Sequence, residues 1–160
     1  MIEVKDKTVC FTGHRELSPL LFPFIKRKLK KTVEELIRNG CLYFGAGGAL
    51  GFDTLAAQTV LDLRMKNPQI KLILVLPCKS QADLWSQKDK EIYADIKIQA
   101  DKIIYTSEDY TKGCMHKRNR HLVDHSSVCV CYLSKETGGT AYTVNYAMQK
   151  GVQVINIAKK

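Results

Sequence analysis

The chain has 160 residues, six of them cysteine, and its 25 lysines and arginines against 16 acidic residues give a formal charge of +9. That length predicts one domain over residues 1–160, with a core large enough to need neither disulfides nor a structural metal. No segment is long and apolar enough to cross a membrane, Met1 to Asp6 lacks the basic-then-apolar order of a signal peptide, and the cysteines follow no disulfide-scaffold or CxxC spacing; a reduced, cytoplasmic setting without a membrane partner is expected. The basic excess favours anionic partners such as nucleotides, nucleic acid or anionic surfaces, and identifies none of them.

The first apolar run, Thr8 to Phe11, predicts a strand, and Thr12-Gly13-His14-Arg15 close it. Gly13 directly after a buried strand puts His14 and Arg15 at the rim, where Arg15 either forks onto a phosphate or carboxylate or merely covers the sheet edge. Pro23 to Arg38 reads as an amphipathic helix with Ile25, Leu29, Val33, Leu36 and Ile37 as its apolar stripe. Its basic run, Lys26-Arg27-Lys28-Leu29-Lys30-Lys31, reads as a solvated outer face ahead of a dedicated nucleic-acid patch.

A second strand, Leu42 to Gly45, runs into Gly45-Ala46-Gly47-Gly48-Ala49-Leu50-Gly51-Phe52-Asp53, a turn dense enough in glycine to let a ligand approach the backbone closely. The helix that follows, Gly51 to Met65, is the most regular in the chain, with Phe52, Leu55, Ala56, Thr59, Val60 and Leu63 along one face. Leu50 takes the place of the third glycine of G-x-G-x-x-G, and no G-x-x-x-x-G-K-[ST] sequence exists, so ordinary dinucleotide oxidoreductases and P-loop NTPases lose support. Asp53, in the first helical turn, has three open roles: binding a ribose hydroxyl, acting as a general acid or base, or complementing the helix dipole.

Lys71 to Leu76 and Lys102 to Tyr105 are the next strands, with Gln81 to Ala100 between them as a helix, or as two if the charges at Lys88 to Glu91 interrupt it. In the helix Met115 to Asp124, Asn119 is read as the polar residue on the face of Met115, Leu122 and Val123, with Arg118 and Arg120 pointing elsewhere and at least one of them within reach of the same edge. His121 and His125 are one helical turn apart, but without the glutamate of H-E-x-x-H neither they nor Cys114 and His116 argue for a metal, and no cofactor is required. Val128 to Leu133 is a strand with Cys129 and Cys131 on one face, Thr137-Gly138-Gly139-Thr140 is either a phosphate nest or a capped turn, and a helix over Thr140 to Gln149 and a strand over Val152 to Ile157 complete the pattern. Gly40 and Gly151 sit where C-terminal helix caps belong.

Continuous apolar strands alternating with helices predict an α/β fold, a single Rossmann-like, doubly wound and mainly parallel sheet flanked by helices. In such a sheet the three glycine turns gather at the carboxyl edge, and the chain reads as a binder of a phosphate-bearing molecule.

Thr12 to Arg15, together with Gly51-Phe52-Asp53, resembles the compact YpsA-like members of the SLOG superfamily, which also contains the LOG phosphoribohydrolases and the DNA-processing proteins. Arg118-Asn119-Arg120, the strand Val128 to Leu133 and Gly139-Thr140-Ala141 resemble the R-N-R, strand, G-(S/T) succession of the DNA-processing proteins. The resemblance implies a Rossmann-like fold, a homo-oligomer, and a nucleotide-derived ligand (ADP-ribose or NAD-like, or a nucleotide sugar) at Gly13, Arg15, Gly47, Gly48, Asp53, Asn119, Gly139 and Thr140; His14, Gly51, Arg118 and Gly138 join them from the same turns and helix. It also suggests a sensor in stress or cell-division control. The chain lacks the P-G-G-x-G-T-x-x-E sequence of the LOG hydrolases, so binding without catalysis is the leading expectation. The alternatives are cleavage of a nucleotide N-glycosidic bond with Asp53 as acid or base, and single-stranded nucleic-acid binding along Arg118, Arg120 and Lys26 to Lys31.

Overall fold

Strands that are apolar on both faces must be covered on both faces, and this chain does so with helices. The computed structural model describes residues 4–158. After a 3-10 turn at Val4–Lys7 come β1 (Thr8–Gly13), α1 (Phe22–Arg38), β2 (Tyr43–Ala46), α2 (Phe52–Arg64) and β3 (Lys71–Leu76). Then follow α3 (Gln87–Gln99), β4 (Lys102–Tyr105), α4 (Cys114–Asp124), β5 (Val128–Tyr132), α5 (Gly139–Gln149) and β6 (Gln153–Asn156). The six strands form one all-parallel sheet in the order β4-β3-β2-β1-β5-β6, a Rossmann-like arrangement.

From β1 the chain steps outward through β2 and β3 to β4, then returns past β1 to β5 and steps outward the other way. Because parallel crossovers are right-handed, that reversal sends the later helices to the opposite face. Side chains of α1 and α2 pack with Phe11, Phe44 and Leu72 on one side, while those of α4 and α5 pack with Cys10, Cys129 and Cys131 on the other. The period of two along β1 makes the division, with Val9 and Phe11 facing one layer and Cys10 the other. Phe11 and Phe44 are fully buried with ring centroids 6.3 Å apart, and each contributes about 2–3 kcal/mol by leaving water. Cys10 pairs in register with Cys129, and all six cysteines are buried as thiols. A crevice therefore lies beside the carboxyl ends of β1 and β5, where neighbouring strands send their connections to opposite faces.

One predicted element is corrected. The helix expected from Gln81 begins only at Gln87, and residues 79–85 form turns. The charges at Lys88 to Glu91 start the helix rather than interrupt it: the Ser86 hydroxyl caps it by accepting the Asp89 N–H at 3.2 Å, and Asp89 complements the positive end of the dipole. β1 also runs two residues past Phe11, carrying Thr12 and Gly13 into register with Cys131 and Tyr132.

Candidate ligand site at the switch point

A cavity of about 250 Å³ opens at this crevice, walled by the end of β1 and the two residues after it (Thr12 to Arg15), the β2–α2 turn and the first turn of α2 (Ala49, Asp53), the β3–α3 turn (Gln81), the first half of α4 and the start of α5 (Gly139, Thr140). Segments that follow the carboxyl ends of five strands, β1 to β5, thus contribute to one space.

Its floor is built around Arg118. The side chain is buried, its Nε donates to Asn119 Oδ1 at 2.7 Å, and its Nη1 donates to the Gly47 carbonyl and, at 3.4 Å, to Gln81 Oε1. Among the described residues Nη2 has only the Met115 thioether, at 3.5 Å, a weak acceptor for a charged donor. Burial pulls the guanidinium down from its ordinary range while Asp53 pulls it up, and an arginine so placed stays cationic at neutral pH. Gln81 is held in turn by its Nε2, which donates to the Tyr93 hydroxyl at 3.2 Å.

Asp53 lies in the first turn of α2, buried, its Oδ2 accepting the Ala49 N–H at 3.3 Å. Burial pushes its carboxyl up to about 6, against the opposing pull of Arg118, the Ala49 N–H and Arg15. Such a group exchanges its proton near neutrality, the range a general acid or base needs.

On the far wall, α5 follows its N-cap residue Gly138 with no side chain capping its first-turn amides, so the positive end of that helix meets the cavity at Gly139 and Thr140. The Ser134 N–H donates to His14 Nε2 at 2.9 Å, and the His14 ring stands edge-on to Tyr132 at 5.9 Å. Burial, then Lys135, lowers the His14 pKa, and the bond from Ser134 leaves the neutral ring's proton on Nδ1. Arg15 is exposed at the rim, free to swing onto a ligand.

Of the residues singled out from sequence, Gly13, His14, Arg15, Asp53, Arg118, Asn119, Gly139 and Thr140 line this one cavity. Gly47, Gly48, Gly51 and Gly138 do not. Three of these glycines make room for protein rather than ligand. A Cβ on Gly47 would stand 2.7 Å from Arg118 Nη1, one on Gly48 would stand 2.6 Å from Leu76, and one on Gly51 would stand 2.2 Å from the Arg15 carbonyl oxygen. Around Gly138 nothing lies within 4 Å of such an atom.

The helical face of α4 is also corrected. Met115, Arg118 and Leu122 follow one another at three and four residues, so it is Arg118 that turns inward, with Asn119 half-buried beside it. Arg120 lies outside, donating to the Tyr142 hydroxyl at 3.1 Å. Gln81, Thr12, Ala49 and Met115 were not foreseen. Gln81 carries no local sequence signal, because only the capped start of α3 at Ser86 leaves it in a turn at the sheet edge. Among the described residues no group of three or more metal-ligating side chains comes together, and no helix is long and apolar enough to cross a membrane.

A family model described as YpsA, the YspA SLOG family, matches residues 10–157. The SPbeta prophage-derived protein YoqJ of Bacillus subtilis (strain 168) is 35% identical over 136 residues, which cover 77% of this chain and 80% of that protein. A UPF0398 protein of Bacillus pumilus (strain SAFR-032) is 26% identical over 151 residues, covering 88% and 81%. Among solved structures, DNA processing protein A of Helicobacter pylori, described for its single-stranded DNA binding mode, superposes with a TM-score of 0.66 at 19% identity, covering 94% of this chain and 65% of that one. DNA processing protein A of Streptococcus pneumoniae gives 0.65 at 19%, covering 94% and 50%. At that identity the likeness is one of fold, and this chain spans about two thirds and half of those two longer chains.

Proposed function

This chain belongs to the YpsA family of SLOG domains, and from that premise we propose that its switch-point cavity binds a phosphorylated ligand of about nucleoside monophosphate size. The observation that carries this reading is Arg118. A guanidinium taken out of water costs several kcal/mol unless its donors are met by strong acceptors. Here Nη2 has a thioether alone, beside a cavity that an anion would complete. The uncapped start of α5 supplies backbone N–H groups for the same phosphate or a second one, and Arg15 closes from the rim. Asp53 accepts a ribose hydroxyl. The enclosed volume holds a sugar phosphate with a base toward the opening, so a dinucleotide or ADP-ribose ligand would extend beyond it. Bound in this way and released unchanged, the ligand makes the domain a sensor of a phosphorylated metabolite.

Calorimetric titration with ribose 5-phosphate, AMP and ADP-ribose tests this reading. AMP is expected to bind, more weakly to Arg15→Ala by about tenfold and not measurably to Arg118→Met, provided each variant retains a cooperative thermal transition. Equal affinity in all three proteins would refute it.

Asp53 favours a second reading, hydrolysis of the N-glycosidic bond of that nucleotide, because its proton is exchangeable near neutrality inside the cavity. Release of free base from a nucleoside monophosphate, lost in Asp53→Asn, is the expected result; no release across a nucleotide panel excludes it. A single-stranded DNA path has less support. Arg118 is buried, and Arg120 on α4 lies across the sheet from the Lys26 to Lys31 run on α1.

A further inference from the structure

We propose that the start of α1 is a contact surface for an anionic lipid bilayer, its apolar tip entering the headgroup layer and its basic shaft lying against the charged surface. Leu20 is 92% exposed and Phe22 40%, with Leu21 and Phe24 exposed beside them. Scattered exposed apolar side chains are ordinary; four large ones within five residues are not. They are surplus to the fold, since α1 already buries Ile25, Leu29, Val33 and Leu36 as its core stripe.

The local structure holds the tip outward. The Leu21 N–H donates to the Ser18 carbonyl at 3.1 Å, closing a turn, and Pro23 fixes the first turn of the helix. Behind the tip the outward-facing side chains of the next two turns are basic. Phe22 is followed at steps of four by Lys26 and Lys30, and Phe24 by Arg27, Lys28 and Lys31, with Lys28 Nζ 5.6 Å above the Phe24 ring. A shallow groove on this outer face is lined by Phe24, Arg27, Lys28, Lys31, Thr32 and Glu35, so that basic residues prevail along it and its one acid stands at the end away from the tip.

The chemistry chooses the occupant. A protein partner of this size usually meets apolar side chains with a groove and mixed charge. Here the apolar groups protrude from a helix end and the charges of Lys26 to Lys31 directly behind them have one sign, the pattern of interfacial amphipathic elements. Each basic residue near an anionic leaflet adds attraction within a Debye length, and each inserted apolar side chain adds burial. The absence of a spanning segment bears on crossing a bilayer and not on contact with its surface. Because α1 follows the carboxyl end of β1, its tip lies at the same end of the sheet as the ligand cavity, although the proposal does not depend on that cavity being filled.

Vesicle flotation tests the proposal, with the whole chain added to vesicles of phosphatidylcholine alone or mixed with phosphatidylglycerol, at low and high salt. Binding is expected to the phosphatidylglycerol vesicles at low salt. It is expected to fall about tenfold or more in Leu20→Ser/Phe22→Ser and by a similar factor in Lys26→Glu/Lys30→Glu. All four positions are exposed, so both variants should keep the parent melting temperature. No partition into any vesicle would overturn the proposal, as would full retention by Leu20→Ser/Phe22→Ser, which would reduce the contact to charge alone. A concentration-dependent dimer that the same double variant dissolves, without vesicle binding by the parent, would assign the surface instead to a second copy of the chain.

Discussion

Asp53→Asn is expected to make the fold more stable at neutral pH. The Asp53 carboxyl titrates at about 6 in the fold against an ordinary 3.8, because burial disfavours its charge more than Arg118, Arg15 and the Ala49 N–H favour it. The native state therefore prefers the protonated form. The stability this preference supplies is complete below 3.8, falls as the pH rises, and is gone above about 6, where the ionised group must be held in the core. At about 1.4 kcal/mol for each pH unit between the two values, the ionised carboxylate costs the fold about 3 kcal/mol. Asparagine is neutral at every pH and keeps an oxygen for the Ala49 N–H. The pull of Arg118 is already contained in that value, but the asparagine amide N–H groups need acceptors of their own in a buried place, so the net gain at about pH 7.5 is expected to be about 1–3 kcal/mol. For a chain of 160 residues that is a rise in Tm of roughly 3–10 °C. Thermal and urea unfolding of both proteins at about pH 7.5, 5 and 4 is the assay, and the difference should close as the pH falls. An asparagine variant no more stable than the parent at the highest pH, or one whose advantage is the same at every pH, would refute the reasoning.

Gly47→Ala places a Cβ 2.7–2.9 Å from the Arg118 guanidinium; moving that group is expected to cost about 1–3 kcal/mol in urea unfolding and to lower AMP affinity at least tenfold by calorimetry. Gly51 and Gly138 form a contrasting pair, both in the left-handed region at φ +77° and +106°. Gly51→Ala also drives a Cβ to 2.2 Å from the Arg15 carbonyl and is expected to lose more than about 3 kcal/mol, whereas Gly138→Ala meets nothing within 4 Å and is expected to lose about 1 kcal/mol, both read from urea midpoints. Arg15→Ala is expected to change stability by less than about 0.5 kcal/mol, since the side chain is exposed, so any loss of ligand affinity it causes reports on contact alone.

The fold was legible because its signals are repeated. The stripe Phe52, Leu55, Ala56, Val60 and Leu63 alone specifies α2, and the runs at Lys71–Leu76 and Lys102–Tyr105 coincide with β3 and β4. The site was legible where a turn directly follows a strand, as at Gly13 to Arg15 and Gly139-Thr140, because sheet topology brings such turns together whatever their details. It was less legible where tertiary packing decides. A glycine cluster says that something approaches closely, yet only the fold shows that Gly47 receives Arg118, Gly48 the Leu76 side chain and Gly51 the Arg15 backbone. Arg118 is among the residues expected at the site, but the inward face of α4 reads from sequence as that of Asn119, because a buried charge is the less usual occupant of such a face, although the spacing of Arg118 from Met115 and Leu122 points there. Gln81 had no signal, being fixed by Tyr93 and Arg118 from two distant elements.

The most direct test of the central claim, that Arg118 and the start of α5 hold a ligand phosphate, is a titration of the nitrogen-15-labelled chain with AMP followed by NMR. Selective, saturable shifts of the Arg118 Nε–H and of the Gly139 and Thr140 amides are predicted, with the Lys26 to Lys31 amides unmoved. Shifts confined to the basic face of α1, or no shift at the cavity with AMP, ribose 5-phosphate or ADP-ribose, would contradict it.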